Sequence, residues 1–134
     1  MYKMRVVYPS VETIVEYNEL ALNLLKVKKS DKSALLNRIK LASVIDACRK
    51  KKGDIFDKAI VLIAGIIKNH PFASGNRRTA FITTKDFILS NNCSIGVRDD
   101  PDHAKVLLGI REGFYSQEEI KKWLQNGKIK EFKR

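Results

Sequence analysis

Cysteine is scarce: Cys48 and Cys93 are the only two in 134 residues. Two thiols cannot build a disulfide framework, so a reducing compartment, the cytoplasm, is the expected setting. Three prolines and seven glycines exclude collagen-like and low-complexity Pro/Gly chains. Long apolar runs are missing too. The longest, Ala59–Ile67, has nine residues, too few to span a membrane and suited to a buried helix. Met1–Arg5 lacks the apolar stretch of a secretory signal. With no internal repeat and no low-complexity linker, the expectation is a single domain over 1–134, with an N-terminal arm (1–9) and a basic, mobile tail (126–134).

Acidic residues are few, 15 against 26 Lys and Arg, for a net charge of +11. The excess favours anionic partners without specifying them. It concentrates between Lys26 and Lys52, where ten Lys and Arg face only Asp31 and Asp46. Such a band suits an acidic protein surface or a nucleic-acid backbone. No zinc-finger, RNP-type or convincing helix-turn-helix pattern supports sequence-specific readout, so nucleic acid is the weaker expectation.

Hydrophobic residues make up 44% of the chain, enough for a packed core, and their spacing predicts an all-α fold of about six helices. Ser10 caps a first helix from Val11 to about Lys26, with Val11, Ile14, Val15, Leu20, Leu22 and Leu25 as its apolar positions. A second helix follows the basic link Lys26–Lys32. Leu35, Leu36, Ile39, Ala42, Val44 and Ile45 form its inward stripe, and Gly53 stops it. Asp54 caps a third, Ile55–Asn69, which is apolar on all sides and therefore central. The fourth runs from Asn76 to about Asn91, and Asn76 is a candidate N-cap. Cys93–Val97 reads as extended, followed by a turn at Arg98–Pro101. Two short helices, about Pro101–Arg111 and Ser116–Gln125, complete the chain, the last opened by a Ser116/Glu119 capping box. Cys48 and Cys93 read as small buried apolar residues, Trp123 as a packing anchor and His103 as a surface residue.

The least ordinary stretch is His70-Pro71-Phe72-Ala73-Ser74-Gly75-Asn76-Arg77-Arg78, between the two central helices. A His closes one helix, and Gly75-Asn76 opens the next. Amides at a helix start point outward without intrahelical partners and favour negative charge. Arg77 and Arg78 lie in that first turn, where cations oppose the helix dipole. A bound polyanion gives them a reason, because phosphate matches both backbone donors and an arginine fork. His70 on the rim is placed as a general base. From the residues alone this is a phosphate site with an adjacent base.

This stretch resembles the Fic/Doc signature His-x-Phe-x-(acidic)-(Gly or Ala)-Asn-(Gly or Lys)-Arg. His70, Phe72, Gly75, Asn76 and Arg78 match position by position. The resemblance implies a compact all-α Fic/Doc bundle with the catalytic loop between two central helices. It implies that His70 deprotonates a target hydroxyl and that Phe72 anchors the loop. Gly75 and neighbouring amides would form an anion hole, and Ser74, Asn76, Arg77 and Arg78 would contact nucleotide phosphates. ATP or another NTP is the implied co-substrate, with Mg²⁺ as companion. Adenylylating members carry a second Arg where this chain has Phe81, and Gly where it has Arg77. Both differences favour the Doc-like branch, death-on-curing toxins of toxin–antitoxin systems that transfer a phosphoryl group. Adenylyl transfer (AMPylation) is the alternative. The implied partners are a protein substrate such as a translation elongation factor and a separate antitoxin, since no inhibitory Ser/Thr-x-x-x-Glu-Gly/Asn helix occurs in the chain. One departure stands out: Ser74 occupies the family's acidic, metal-contacting position, so no metal ligand is assigned with certainty. That motivates a third reading, a weakened member acting as a nucleotide-binding or regulatory module.

Overall fold

The computed structural model describes residues 5–25, 33–98 and 103–133, which form six helices and no strand. The helices are α1 (Val11–Leu25), α2 (Arg38–Lys50), α3 (Ile55–Asn69), α4 (Asn76–Ser90), α5 (His103–Arg111) and α6 (Gln117–Asn126). The all-α bundle expected from the periodicity is the fold observed. None of the helices among the described residues is long and apolar enough to cross a membrane. The basic link Lys26–Lys32 and the turn residues Asp99–Pro101 lie outside the described residues.

Two helices form the centre. α3 packs on α2, α4, α5 and α6, while α4 lies mainly against α3 and α1. α3 starts and stops where its sequence dictates. Asp54 and Asp57 form a reciprocal capping box, and His70 closes the helix in a left-handed conformation at φ 47°, ψ 56°. Pro71, without an amide proton, then forbids continuation. α6 opens on the expected Ser116/Glu119 box, and Ser10 accepts from the Thr13 amide at the start of α1.

The inward stripes of α1 and α2 differ from those read off the sequence. α2 begins only after Asn37, whose side chain caps it through the Lys40 amide. Leu35 and Leu36 therefore precede the helix. Leu35 forms an isolated antiparallel bridge with Phe72, and Leu36 is exposed, as are Ile39 and Ala42. The buried stripe is Leu41, Val44, Ile45 and Cys48, at the i, i+3, i+4, i+7 spacing of one helix face. Among the described side chains of α1 the buried positions are Val11, Ile14, Asn18 and Ala21, with Leu20 turned to solvent.

Charged and polar groups fasten the ends. The Lys58 ammonium of α3 donates to the carbonyls of Cys48, Arg49 and Lys51, where α2 has run out of intrahelical donors. The Asn91 amide accepts from the Val7 N–H and donates to the Val7 carbonyl, tying the N-terminal arm to the end of α4. The C-terminal segment, expected to be mobile, is held down through Phe132. The Lys130 carbonyl accepts from Tyr115 Oη at 2.9 Å, Lys130 Nζ pairs with Glu119 at 3.2 Å, and Phe132 packs edge-on against Phe114. Trp123 is an anchor as expected, 2% exposed. Cys48 is buried, but Cys93 is only half-buried, because it sits in the irregular stretch after α4 rather than on a helix stripe.

Candidate active site

The nine-residue turn from His70 to Arg78 joins α3 to α4, and its own backbone is tightly engaged. On one side, the segment before α2 is stitched to it. The Leu36 and Asn37 amides donate to the Pro71 carbonyl, and the Ala73 amide donates to Ala34. Underneath, Phe72 is 1% exposed and sits in the core.

Asn76 braces the turn from within. Its Oδ1 accepts from the Phe72 N–H at 3.0 Å, and its Nδ2 donates to the Phe72 carbonyl at 2.9 Å. Those two backbone groups can only donate and accept respectively, so they fix which way the amide faces. Nδ2 is then also the atom 3.1 Å from His70 Nδ1. An amide N–H can only donate, so Nδ1 accepts and the neutral His70 ring carries its proton on Nε2. Asn76 is 6% exposed and stands at the first helical position. The N-cap residue is Gly75, not Asn76, and no side chain caps α4 there.

Asn18, a residue the sequence reading passed over, supports the turn from α1. It is fully buried, and its Nδ2 donates to the Ser74 carbonyl at 2.9 Å and to Thr79 Oγ1 at 3.0 Å. Its Oδ1 accepts from Ser33 Oγ at 2.7 Å. A trans peptide places its C=O and N–H on opposite sides. Holding the Ser74 carbonyl inward therefore turns the Gly75 N–H outward, toward the open start of α4. Gly75 has φ 74°, and a Cβ there would meet Leu22 Cδ2 at 3.1 Å and Asn18 Nδ2 at 3.3 Å. Both the left-handed backbone and the close approach call for glycine.

Around this opening the structure gathers exposed His70 and Arg77 with half-buried Ser74, Gly75 and Arg78. Phe72 and Asn76 lie behind them. Arg78 is not a loose surface cation. Its Nη1 is 3.1 Å from His103 Nε2, and its guanidinium carbon is 5.7 Å from the Phe81 ring centre. His103, expected on the surface, is only 7% exposed. Its imidazole lies parallel to the Phe81 ring, centroids 4.3 Å apart. The available signal was its spacing: His103, Val106, Leu107 and Ile110 are the buried face of α5, and Asn18 falls on the buried face of α1 in the same way.

Residues 3–88, well over half of the chain, match the sequence profile of the Fic/DOC family. The chain belongs to the Fic/DOC family. Fic/DOC proteins are in general transferases that modify proteins at the expense of a nucleoside triphosphate, usually with a metal. A search of curated proteins finds no match to this chain. The matched span covers the whole turn and α4 as far as Ile88, whereas α5 and His103 lie beyond it.

As a Fic/DOC site the turn fits phosphate better than it fits a protein-bound metal. Its amides, Arg77 and Arg78 are all donors. No three His, Cys, Asp or Glu among the described residues come together in a way that could hold a metal ion. Ser74 contributes only a hydroxyl, a weak ligand for Mg²⁺. The protein side of this turn thus does not fit Mg²⁺, and a divalent ion would have to be carried by the nucleotide's own phosphates.

Proposed function

We propose that this chain is a Doc-like protein phosphotransferase, taking the terminal phosphoryl group of ATP or a related NTP to a hydroxyl of a target protein. The observation that carries the reading is the burial of Phe81, 2% exposed and stacked on His103. Adenylyl transfer would be served by a second cation three residues after Arg78, and that position is committed to the core. In the proposed reaction the triphosphate lies against the Gly75 amide and the first turn of α4, with Arg77 and Arg78 as counter-charges. The target oxygen attacks the γ-phosphorus, the bond to the β,γ-bridging oxygen breaks, and the nucleoside diphosphate leaves. The proton of the target hydroxyl passes to His70 Nε2.

Taking that proton requires the tautomer opposite to the one Asn76 holds. The ring must turn from Asn76 as substrates settle, and its exposure leaves the turn unhindered by packing. Catalytic hydrogen bonds commonly reach their working geometry only in the substrate complex. Fixed donors at the phosphates supply most of the rate in such transfers. In this reading the chain works in the cytoplasm as the toxin of a toxin–antitoxin pair. Its target is a translation elongation factor, and a separate antitoxin restrains it.

Purified protein and its His70→Ala variant, incubated in cell lysate with Mg²⁺ and either γ- or α-labelled ATP, test the proposal. Label transferred to a protein from γ only, and lost in His70→Ala, is the expected result. Label from α would make the chain an adenylyltransferase. Ser74 supports one second reading, a weakened member that binds nucleotide as a regulatory module. ATP binding with no label from either position, restored by Ser74→Asp, would establish it.

A further inference from the structure

Arg78, Phe81 and His103 form a cluster in which each side chain touches the other two. Arg78 and Phe81 are three residues apart on α4 and share a face. His103 reaches them from the first position of α5. The guanidinium can only donate, so His103 Nε2 accepts and the imidazole proton sits on Nδ1. The nearly parallel rings, 3° apart, hold the imidazole in the orientation that aims Nε2 at Arg78. A leucine or phenylalanine in this stripe would fill the same space but offer no acceptor. Histidine supplies both a flat apolar face and a lone pair.

We infer that His103 is a positioning residue for the phosphate-binding arginine, with Phe81 as the surface that orients it. The inference rests on the proposed role of Arg78. A guanidinium fixed before the nucleotide arrives loses less conformational freedom on binding than one that must be ordered at that moment. The Fic/DOC match ends at residue 88. His103 therefore reaches the guanidinium from a helix that lies beyond the matched span.

The test separates the acceptor from the packing. His103→Phe keeps a flat ring against Phe81 and removes the lone pair, whereas His103→Gln restores a side-chain oxygen. In wild type, ¹⁵N-resolved spectra of the Arg78 guanidinium should show hindered rotation about Nε–Cζ. His103→Phe should speed that rotation, with His103→Gln between the two. ATP affinity should fall roughly tenfold in His103→Phe, the share expected of one charge-assisted hydrogen bond, while adenosine affinity stays level. Arg78→Ala combined with His103→Phe should bind ATP no more weakly than Arg78→Ala alone.

Unchanged Arg78 signals in His103→Phe overturn the inference, as do losses of ATP affinity that add in the double variant. Should His103→Phe fail to fold, unhindered Arg78 signals in the wild type alone overturn it. If His103→Phe frees the Arg78 signals but wild-type protein binds no ATP, the positioning stands and the nucleotide reading of the site falls.

Discussion

Three asparagines carry a disproportionate share of the local order, because a side-chain amide holds its donor and its acceptor on separate atoms and can answer a backbone N–H and C=O together. Asn91 does this for Val7 and Asn76 for Phe72, while Asn18 divides its donors between Ser74 and Thr79. Asn18 is the most consequential, since the direction of the Gly75 N–H follows from the carbonyl it holds. Asn18→Ala leaves a part-buried carbonyl and a buried hydroxyl short of a donor, which costs about 2–3 kcal/mol. Asn18→Asp should be worse, because it sets a carboxylate against the Ser74 carbonyl with no proton to donate. Urea denaturation midpoints check the order wild type, Ala, Asp. ATP affinity of the folded fraction should fall in both variants, reporting the misdirected amide.

At the scale of the helix, what was legible depended on whether the deciding contact was local. The bounds of α3 follow from Asp54 at one end and His70-Pro71 at the other, all within a few residues of the turns they control. The same is true of Ser116 and Glu119 at α6. The stretch that forms the candidate site was legible because its residues are contiguous. The start of α2 was misjudged because Leu35 and Leu36 continue its apolar pattern, yet pair in extended form with Pro71 and Phe72, remote in sequence. His103 was misjudged because its stacking partner lies on another helix and its polarity hid its place in an apolar stripe. The usable rule is that a polar residue on the inward face of a helix, like Asn18 or His103, has a distant partner to be found. α4 shows the rule's exception. Thr83 and Thr84 are each 1% exposed, and neither hydroxyl has a partner among the described residues. Threonine and valine are close in shape, and an unpaired buried hydroxyl costs about 1–3 kcal/mol. Thr84→Val should therefore raise the thermal midpoint rather than lower it, as should Thr83→Val. A fall in either, measured by calorimetry, would reveal a hydroxyl that works in the folded state.

Across the whole molecule, a net charge of +11 makes the few carboxylates important for holding cationic elements together. Lys121 of α6 lies 2.9 Å from Asp57 and 3.3 Å from Asp54 at the start of α3, so one cation ties α6 to that helix end. The Lys121 ammonium, followed by the Asp54 amide, holds the Asp57 carboxyl below its ordinary value of 3.8. At α6, the Ser116 amide is the main cause holding Glu119 below 4.5, with Lys130 assisting. A carboxyl whose folded value is depressed contributes its full stabilisation above the unfolded value and loses it as pH falls through the folded one. Stability should therefore be level from about pH 5 to neutrality and decline below about pH 4. The decline steepens as each protonation adds to a positive excess that already repels itself. Asp57→Asn mimics the protonated state at one of these groups. The variant should be less stable than wild type at pH 7 and converge toward it near pH 3. Urea midpoints measured for both proteins from pH 3 to pH 7 check this, and parallel curves would show that the α3–α6 clamp contributes nothing to the acid response.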